Sequence, residues 1–327
     1  MTKPEQVDPA PGPYDVGDRV DVAVAGGGLA GLGAALTLGR ARRSVLVIDA
    51  GHPRNAPAAH SHGYLTRDGT PPLELLRLGR QEVRSYGGRI VEGTVSTITR
   101  HDDGLFRLTT REGTSHVARR VLVTTGLVDE YPRIPGLHER WGRDVVHCPY
   151  CFGWEHRDRA LAVVGTGPGA VMQALMWRQW SQDVVLFQHT APEPTEQELA
   201  RLTARGITVV PGEVEAIEVS DDRVAGVRLA SGEVHPREVI VIGPRFEARH
   251  ELLDPLGVKV VEHPLGIGRQ VEADPSGFTG VPGVWAAGNV LDVTAGVIQS
   301  AASGVTAAAA LNADLTADDA ERAVLAR

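Results

Sequence analysis

Arg19-Val-Asp-Val-Ala-Val-Ala-Gly26-Gly-Gly28-Leu-Ala-Gly31 is the stretch that decides the fold. It is an apolar run that ends in a cluster of glycines, and an Ala- and Leu-rich segment follows it. A second apolar run, Ser44-Val-Leu-Val-Ile-Asp49, closes the pattern. This order predicts a strand, a tight turn, a helix and a parallel strand, which together make the βαβ unit of a dinucleotide-binding domain.

Each glycine of the turn is needed for a different structural reason. Gly26 permits the tight turn, Gly28 lets the backbone approach a pyrophosphate, and Gly31 lets the helix pack closely on the strand. The helix N-terminus faces the phosphate charge, and Asp49 can accept hydrogen bonds from ribose hydroxyls. The residues predicted to bind the dinucleotide in this unit are Gly26, Gly28, Leu29, Ala30, Gly31, Asp49 and Ala50.

A second copy of the pattern begins at Leu161-Ala-Val-Val-Gly165-Thr-Gly167-Pro-Gly-Ala170. Aligning Gly165 with Gly26 places Gln188 where the first copy has its ribose carboxylate. The residues after that strand, Gln188-His189-Thr190, also lack the arginine that usually binds the 2′-phosphate of NADP. The second unit therefore lacks both usual ribose anchors, although binding of a nucleotide in some other way stays open.

The rest of the chain fits two interleaved domains. Residues 86–118 alternate apolar and polar positions between glycine turns, which predicts a small antiparallel insertion. The segment Gly283-Val-Trp-Ala-Ala-Gly288-Asn289 predicts a strand that leads into a helix near Thr294 and returns to the first domain. The predicted fold class is α/β, with two Rossmann-like three-layer nucleotide-binding domains, the second inserted into the first. The predicted boundaries are 1–17 for a disordered N-terminal lead, 18–135 and 247–327 for the first domain, and 136–246 for the second.

The chain has two cysteines, in the order Cys148-Pro-Tyr-Cys151. A disulfide across so short a loop removes little chain entropy, so stability is a poor reason for it. Such a pair is usually catalytic or metal-binding in a reducing compartment. Zinc held by both cysteines with His147 and His156 is one alternative, but a closed zinc site needs four convergent ligands and would not explain the first glycine turn. We therefore predict a redox-active pair and no metal.

Composition excludes several classes of partner. The net charge of the 327 residues is −8 and no basic block occurs, so we expect no binding to nucleic acid. The first residues are polar and rich in proline, without the basic and then apolar order of a signal peptide. The small-residue stretch near the C-terminus predicts a packed helix and no membrane span. We expect a cytoplasmic protein.

These motifs together resemble the low-molecular-weight thioredoxin reductases over nearly the whole chain. The resemblance implies FAD in the first domain, the FAD-binding domain, and a homodimer. It also implies that Cys151 lies against the flavin while Cys148 meets the substrate. The N-terminal end of the last helix would lie at the pyrimidine edge of the flavin, where reduction leaves negative charge. Further FAD-binding residues implied in this way are Thr125, Gly126, Gly288, Asn289 and Val297.

Three positions depart from that family. Phe152 stands where thioredoxin reductases of this class carry an acid, Gln188-His189-Thr190 where they carry His-Arg-Arg, and Asn289 where they carry Asp. The segment from His147 to Glu155 instead resembles the FAD-dependent dithiol oxidases of holomycin, gliotoxin and romidepsin biosynthesis. That resemblance implies closure of a disulfide in a small-molecule dithiol, with oxygen as the electron acceptor. The alternative is an NAD(P)H-dependent thioredoxin-disulfide reductase.

Proton transfer needs a base beside the dithiol, because the thiolate is the attacking species. His147 precedes Cys148 directly and is the predicted base, unless it is an ordinary residue at a strand end. Asp292 is its predicted partner, with a helix-capping role as the alternative. The loop His60-Ser-His62-Gly-Tyr64 could lie near the flavin and the dithiol, although such loop histidines are often ordinary surface residues.

Overall fold

The computed structural model describes residues 19–327, so the predicted lead of residues 1–17 lies outside the described part. The chain divides into two compact units. The first unit takes the described residues up to Arg54, then Leu73–Val128 and Glu247–Arg327. The second unit takes Asn55–Pro72 and Asp129–Phe246. Residues 55–72 therefore group with the unit that contains the two cysteines, and the domain boundaries drawn from sequence stay a prediction.

The elements alternate in the order typical of α/β proteins. Up to the cysteine pair they are β1 (Arg19–Ala25), α1 (Leu29–Arg40), β2 (Val45–Asp49), α2 (Pro72–Ser85), β3 (Arg89–Glu92), β4 (Val95–Arg100), β5 (Phe106–Thr110), β6 (Ser115–Val123), β7 (Leu127–Glu130), β8 (Val145–Val146) and α3 (Pro149–Phe152). The next elements are β9 (Leu161–Val164), α4 (Ala170–Trp177), β10 (Val184–Phe187), α5 (Glu196–Ala204), β11 (Thr208–Val210), β12 (Val214–Ser220), β13 (Arg223–Leu229), β14 (Val234–Pro236) and β15 (Val239–Ile242). The last are β16 (Arg245–Ala248), β17 (Val260–Glu262), β18 (Gly268–Val271), β19 (Val284–Ala286) and α6 (Val297–Leu325).

The first unit is built on a sheet in the order β3-β2-β1-β6-β5-β4, with β19 paired to β6. Strands β1, β2, β3, β6 and β19 are parallel, whereas β4, β5 and β6 are joined as antiparallel neighbours. Apolar side chains from both faces of the sheet enter separate cores, one of them shared with α1 and α6. Burial on both faces explains why β1 and β2 are continuous apolar runs.

Helices α1 and α6 pack closely because small residues face each other. A Cβ added at Gly304 would lie 2.0 Å from the carbonyl oxygen of Ala30, and one added at Gly33 would lie 2.8 Å from that of Ala301. No larger side chain fits at either glycine without moving a backbone. The composition of the C-terminal stretch thus follows from helix packing. Among the described residues, no helix is both long enough and apolar enough to cross a membrane.

The second unit has its own parallel sheet, in the order β11-β10-β9-β15-β8. Strands β12, β13 and β14 form a separate antiparallel sheet, and the two cores of this unit lie on the two faces of the parallel sheet. A further sheet, β17-β18-β16-β7, includes the two strands at which the chain passes between the units. Each unit is therefore a sheet covered on both faces, and the predicted α/β fold class with two Rossmann-like domains is confirmed.

Candidate active site

The turn between β1 and α1 forms an open cradle. Gly26 has a φ of +110°, and a Cβ there would lie 2.5 Å from the carbonyl oxygen of Thr124. A Cβ on Gly28 would meet no described atom within 4 Å. Gly28 is also the N-cap of α1, and no side chain among the described residues caps that helix end. Open space beside exposed helix N–H groups fits a pyrophosphate, because these groups donate hydrogen bonds and carry partial positive charge.

The start of α1 brings the other predicted residues of the turn together. Leu29 and Ala30 open the helix, and a Cβ on Gly31 would lie 2.1 Å from the carbonyl oxygen of Gly26. A Cβ on Gly288 would lie 2.8 Å from the Cβ of Ala30. Gly288 comes from far along the chain, yet it lies directly beside the glycine turn.

Asp49 ends β2 with its carboxylate beside the same turn. Its Oδ1 accepts a hydrogen bond from the N–H of Gly27 at 3.2 Å, and its Oδ2 accepts one from Arg80 at 2.6 Å. Ala50 follows and is half-buried. The arginine fixes the carboxylate at the edge of the cradle, where it can also accept from a ribose. Arg80 could not be predicted from the sequence as a partner of Asp49, because the two residues are far apart along the chain and meet only in the folded protein.

The remaining residues predicted to bind FAD sit on turns of the first unit. Thr125 donates its hydroxyl to the carbonyl oxygen of Arg249 at 2.7 Å, and Gly126 has a φ of +75°. The side-chain amide of Asn289 donates to the carbonyl oxygens of Asp292 and Ala295. These two hydrogen bonds hold the loop that leads into α6 in place. That helix starts at Val297 after Gly296, with no side-chain cap among the described residues.

Cys148 and Cys151 are joined as a disulfide, with their Cα atoms 5.3 Å apart. Strand β8 ends at Val146, and Cys148 is the N-cap of α3. Pro149 occupies the first turn of this short helix, where its missing N–H costs no hydrogen bond. The short helix brings the two sulfurs together. The spacing of the two cysteines along the chain is therefore enough to place them in disulfide-bonding distance.

His147 lies between aromatic rings of the second unit. Its imidazole stacks on Trp141 with ring centroids 5.5 Å apart, and it meets Phe246 edge-on at 5.9 Å. Asp292, its predicted partner, belongs to the first unit, and its Oδ1 accepts from both the N–H and the hydroxyl of Thr294. Asp292 thus stabilises the turn at Thr294 and is not the N-cap of α6, which is Gly296, and its pairing with His147 stays a prediction.

Cys151 lies on the wall of a cavity of about 750 Å³ within the second unit. The segment after the cysteine contributes Phe152, Glu155 and His156 to this wall. The loop 55–72 forms another part of the wall, and it includes His60 and His62. Of the loop residues noted in the sequence, Ser61 is buried and Tyr64 does not line this cavity. Glu155, on the cavity wall, was not singled out from the sequence as a functional residue.

His156 is a buried, neutral histidine. Burial lowers its pKa, and its Nε2 lies 3.0 Å from the carbonyl oxygen of Arg143, to which it donates. Within residues 19–327, no three His, Cys, Asp or Glu side chains are grouped so that they could hold a metal ion. His156 therefore acts as a structural hydrogen-bond donor in this unit.

Comparison with known proteins identifies the family. The model of the pyridine nucleotide-disulphide oxidoreductases matches residues 20–308. The chain belongs to this family. A crystal structure of HlmI has a TM-score of 0.88 and 47% identity, covering 94% of this chain and 96% of that one. The thioredoxin reductase sirT of Leptosphaeria maculans is 30% identical over 322 residues, which is 93% of this chain and 97% of that protein.

A probable thioredoxin reductase of Arthroderma benhamiae is 37% identical over 153 residues, covering 45% of this chain. The chain spans only 38% of that relative's length. The names of these relatives confirm the resemblance to thioredoxin reductases. This pyridine nucleotide-disulphide oxidoreductase is therefore an FAD-dependent oxidoreductase with a redox-active disulfide. The cradle at Gly26–Gly31 fits the pyrophosphate of that cofactor.

The second unit keeps the nucleotide fold of the family, and the described lining of its groove at Gly167 and Gln188 includes no lysine or arginine. His189 has a φ of +47° and turns inward, where its Nδ1 accepts the N–H of Val214 at 3.1 Å. Burial lowers the pKa of His189, so the ring is neutral at physiological pH. The nearby groove beside Gly167 is lined by Glu193 and Glu198, which repel phosphate.

Proposed function

We propose that this protein is a dithiol oxidase. It closes a disulfide in a small-molecule dithiol and passes the electrons to oxygen through FAD. The observation that carries the proposal is the inward-turned His189 beside Gln188, whose Nδ1 accepts the N–H of Val214 at the position where NADPH-dependent relatives bind a phosphate. If pyridine nucleotides do not reduce the flavin, a thiol substrate is the electron source that the cysteine pair can use.

The proposed reaction proceeds by thiol–disulfide exchange. A substrate thiolate attacks Cys148, forming a mixed disulfide and releasing Cys151 as a thiolate. The second substrate thiol then attacks the mixed disulfide, so the product leaves as an intramolecular disulfide and Cys148 becomes a thiolate. Bound at the Gly26–Gly31 cradle, FAD would supply the acceptor for the electron pair of the reduced cysteines, with oxygen as the proposed final acceptor. The two substrate thiols release two protons in each cycle, and the formation of hydrogen peroxide takes up two.

His147 takes one of these protons. Its ring position is fixed by the stack on Trp141, so the imidazole nitrogens keep a constant place one residue before Cys148. An imidazole with a pKa near neutrality is the side chain best suited to deprotonate a thiol at physiological pH.

The proposal is tested with an oxygen electrode and a panel of small dithiols, dithiothreitol first. We expect one oxygen consumed and one peroxide formed for each dithiol oxidised, without any pyridine nucleotide. The Cys148→Ser and Cys151→Ser variants, loaded with FAD, are the matched controls and should consume no oxygen. Wild-type protein that binds FAD but consumes no oxygen with any dithiol overturns the proposal.

The second candidate is an NAD(P)H-dependent thioredoxin reductase, which the names of the relatives favour. Reduction of a thioredoxin by NADPH at catalytic rates would favour it over the oxidase. We further propose a homodimer in the cytoplasm, as the family resemblance and the composition imply. Light scattering on the purified protein tests the dimer.

A further inference from the structure

Three rings of the second unit form a continuous stack that begins one residue before the redox pair. The imidazole of His147 lies on the indole of Trp141 with ring centroids 5.5 Å apart and planes 10° from parallel. The same indole stacks with the ring of Tyr131, with centroids 4.7 Å apart. These three residues, which we call the aromatic stack, connect the neighbour of Cys148 with Tyr131.

The hydroxyl of Tyr131 ends the aromatic stack on a proton acceptor. It lies 2.5 Å from Nδ1 of His138. Burial and the negative charges of Asp129 and Glu139 raise the pKa of Tyr131, so the phenol keeps its proton and donates it in this hydrogen bond. His138 is exposed, so a proton that reaches its ring can leave to water.

Tyr131 differs from the other described tyrosines in having a base on its hydroxyl. The hydroxyl of Tyr86 accepts a hydrogen bond from the guanidinium of Arg40, which has no proton-accepting atom. Tyr150 meets Trp180 edge-on with centroids 5.7 Å apart, but its hydroxyl contacts no histidine among the described residues.

Packing alone does not explain this arrangement. Tyr131 and Trp141 both pack against a core of the second unit, which accounts for the contact between their rings. It does not account for the hydrogen bond that places the phenol on an exposed imidazole.

The arrangement has the two parts that reversible oxidation of a tyrosine requires. Tyr131 can give an electron to an oxidised Trp141, because stacked rings in contact exchange electrons rapidly. The phenol of an oxidised tyrosine is a strong acid, so its proton leaves with the electron, and Nδ1 of His138 is in place to take it. The direction follows from chemistry, since imidazole is harder to oxidise than indole, and indole is harder to oxidise than a phenol that gives up its proton.

We propose that the aromatic stack carries oxidising equivalents away from the redox pair and holds them on Tyr131. The oxidant is a hydroxyl radical, which hydrogen peroxide forms with ferrous iron. The radical takes one electron from His147 and becomes hydroxide. Trp141 then returns one electron to the imidazole, and Tyr131 returns one to the indole.

The proton of Tyr131 passes to Nδ1 of His138 in the same step, which leaves a neutral tyrosyl radical and an imidazolium. His138 gives this proton to water, where it neutralises the hydroxide. A soluble thiol then donates a hydrogen atom to the radical and restores the phenol. The inference rests on the proposed function for its purpose, because an oxidase that forms peroxide in each turnover exposes its own cysteines to irreversible oxidation.

The first test is pulse radiolysis of the FAD-loaded disulfide form with azidyl radicals, which oxidise tryptophan and tyrosine by one electron. We expect tryptophanyl absorption to decay and tyrosyl absorption to grow in a first-order phase that is independent of protein concentration. Tyr131→Phe keeps the ring but has no hydroxyl, so it should lose this phase. His138→Gln should slow the phase at least about tenfold, because the base is gone. Tyr150→Phe is the matched control and should keep the phase that Tyr131→Phe loses.

The second test exposes the same form to ferrous iron and hydrogen peroxide and measures oxidised His147 by mass spectrometry. His147 should be oxidised more in Tyr131→Phe than in the wild type, and to the wild-type extent in Tyr150→Phe. Retention of the first-order phase in Tyr131→Phe, an unchanged rate in His138→Gln, or equal oxidation of His147 in Tyr131→Phe and the wild type would overturn the proposal. Neither test uses a dithiol, so a failure here is distinct from a failure of the oxidase proposal, which oxygen uptake measures.

Discussion

Cys148 and Cys151 are chemically alike but are predicted to play different parts, and two serine variants separate them. If Cys151 is the flavin-side sulfur, Cys148→Ser leaves a thiolate against oxidised FAD, and we expect a broad long-wavelength charge-transfer band. Cys151→Ser should lack the band and should trap substrate on Cys148 as a mixed disulfide. Absorption spectra of both FAD-loaded variants, with mass spectrometry for the adduct, check this. A band in Cys151→Ser instead would exchange the two assignments.

His147→Ala tests the base. The variant should keep FAD and the fold, and its oxidase rate should fall by about 10²–10⁴-fold at neutral pH. The loss should shrink as the pH approaches the thiol pKa, because the thiolate then forms without help. Steady-state oxygen uptake across a pH series measures both effects. Normal turnover of His147→Ala at neutral pH would place the proton acceptor elsewhere and remove the reason for a role of Asp292.

His156 predicts a pH dependence of stability. Burial lowers its pKa in the folded state, while in the unfolded chain it titrates near its usual value of about 6.5. Below that pH the unfolded state binds a proton that the folded state does not, so stability is complete above about pH 6.5 and falls as the pH decreases. Urea midpoints of His156→Gln at pH 5.5 and 7.5 should differ less than those of the wild type. Equal differences in both proteins, or the same change in the exposed control His101→Gln, would contradict this.

At the scale of elements, the contact between α1 and α6 has a direct test. In Gly304→Ala the new Cβ lies 2.0 Å from the carbonyl oxygen of Ala30, so the helices must separate. We expect a loss of about 1–3 kcal/mol in the free energy of unfolding. FAD retention should weaken as well, since Ala30 belongs to the cradle. Chemical denaturation and flavin content measure the two effects. Gly169→Ala, whose Cβ meets no described atom within 4 Å, is the control, and equal midpoints for both variants would refute the argument.

The sequence predicted those elements whose signals are local. The glycines of β1–α1 and the spacing of the cysteine pair act within a few residues, so both βαβ units and the redox pair follow from the order of residues along the chain. The grouping of residues 55–72 with the second unit could not be derived, because it depends on contacts far along the chain, such as His62 with Glu155. The hydrogen bond between His189 and Val214 could not be predicted either, because Val214 lies in another strand.

For the whole molecule, the central claim is the direction of electron flow. Losing charge-assisted hydrogen bonds at a nucleotide site costs on the order of 1.5–3 kcal/mol each, or roughly ten- to hundredfold in affinity. The described lining of the groove at Gly167 and Gln188 includes no lysine or arginine, and it does include Glu193 and Glu198. Neither NADH nor NADPH should therefore reduce the flavin efficiently.

The most direct measurement adds electron donors to the yellow protein without oxygen and follows the flavin absorbance. We predict that dithiothreitol bleaches the flavin through Cys148 and Cys151, and that micromolar NADPH or NADH leaves it oxidised over the same time. Admission of oxygen should then restore the oxidised spectrum and produce peroxide. Rapid bleaching by micromolar NADPH would contradict the account and identify the protein as a reductase.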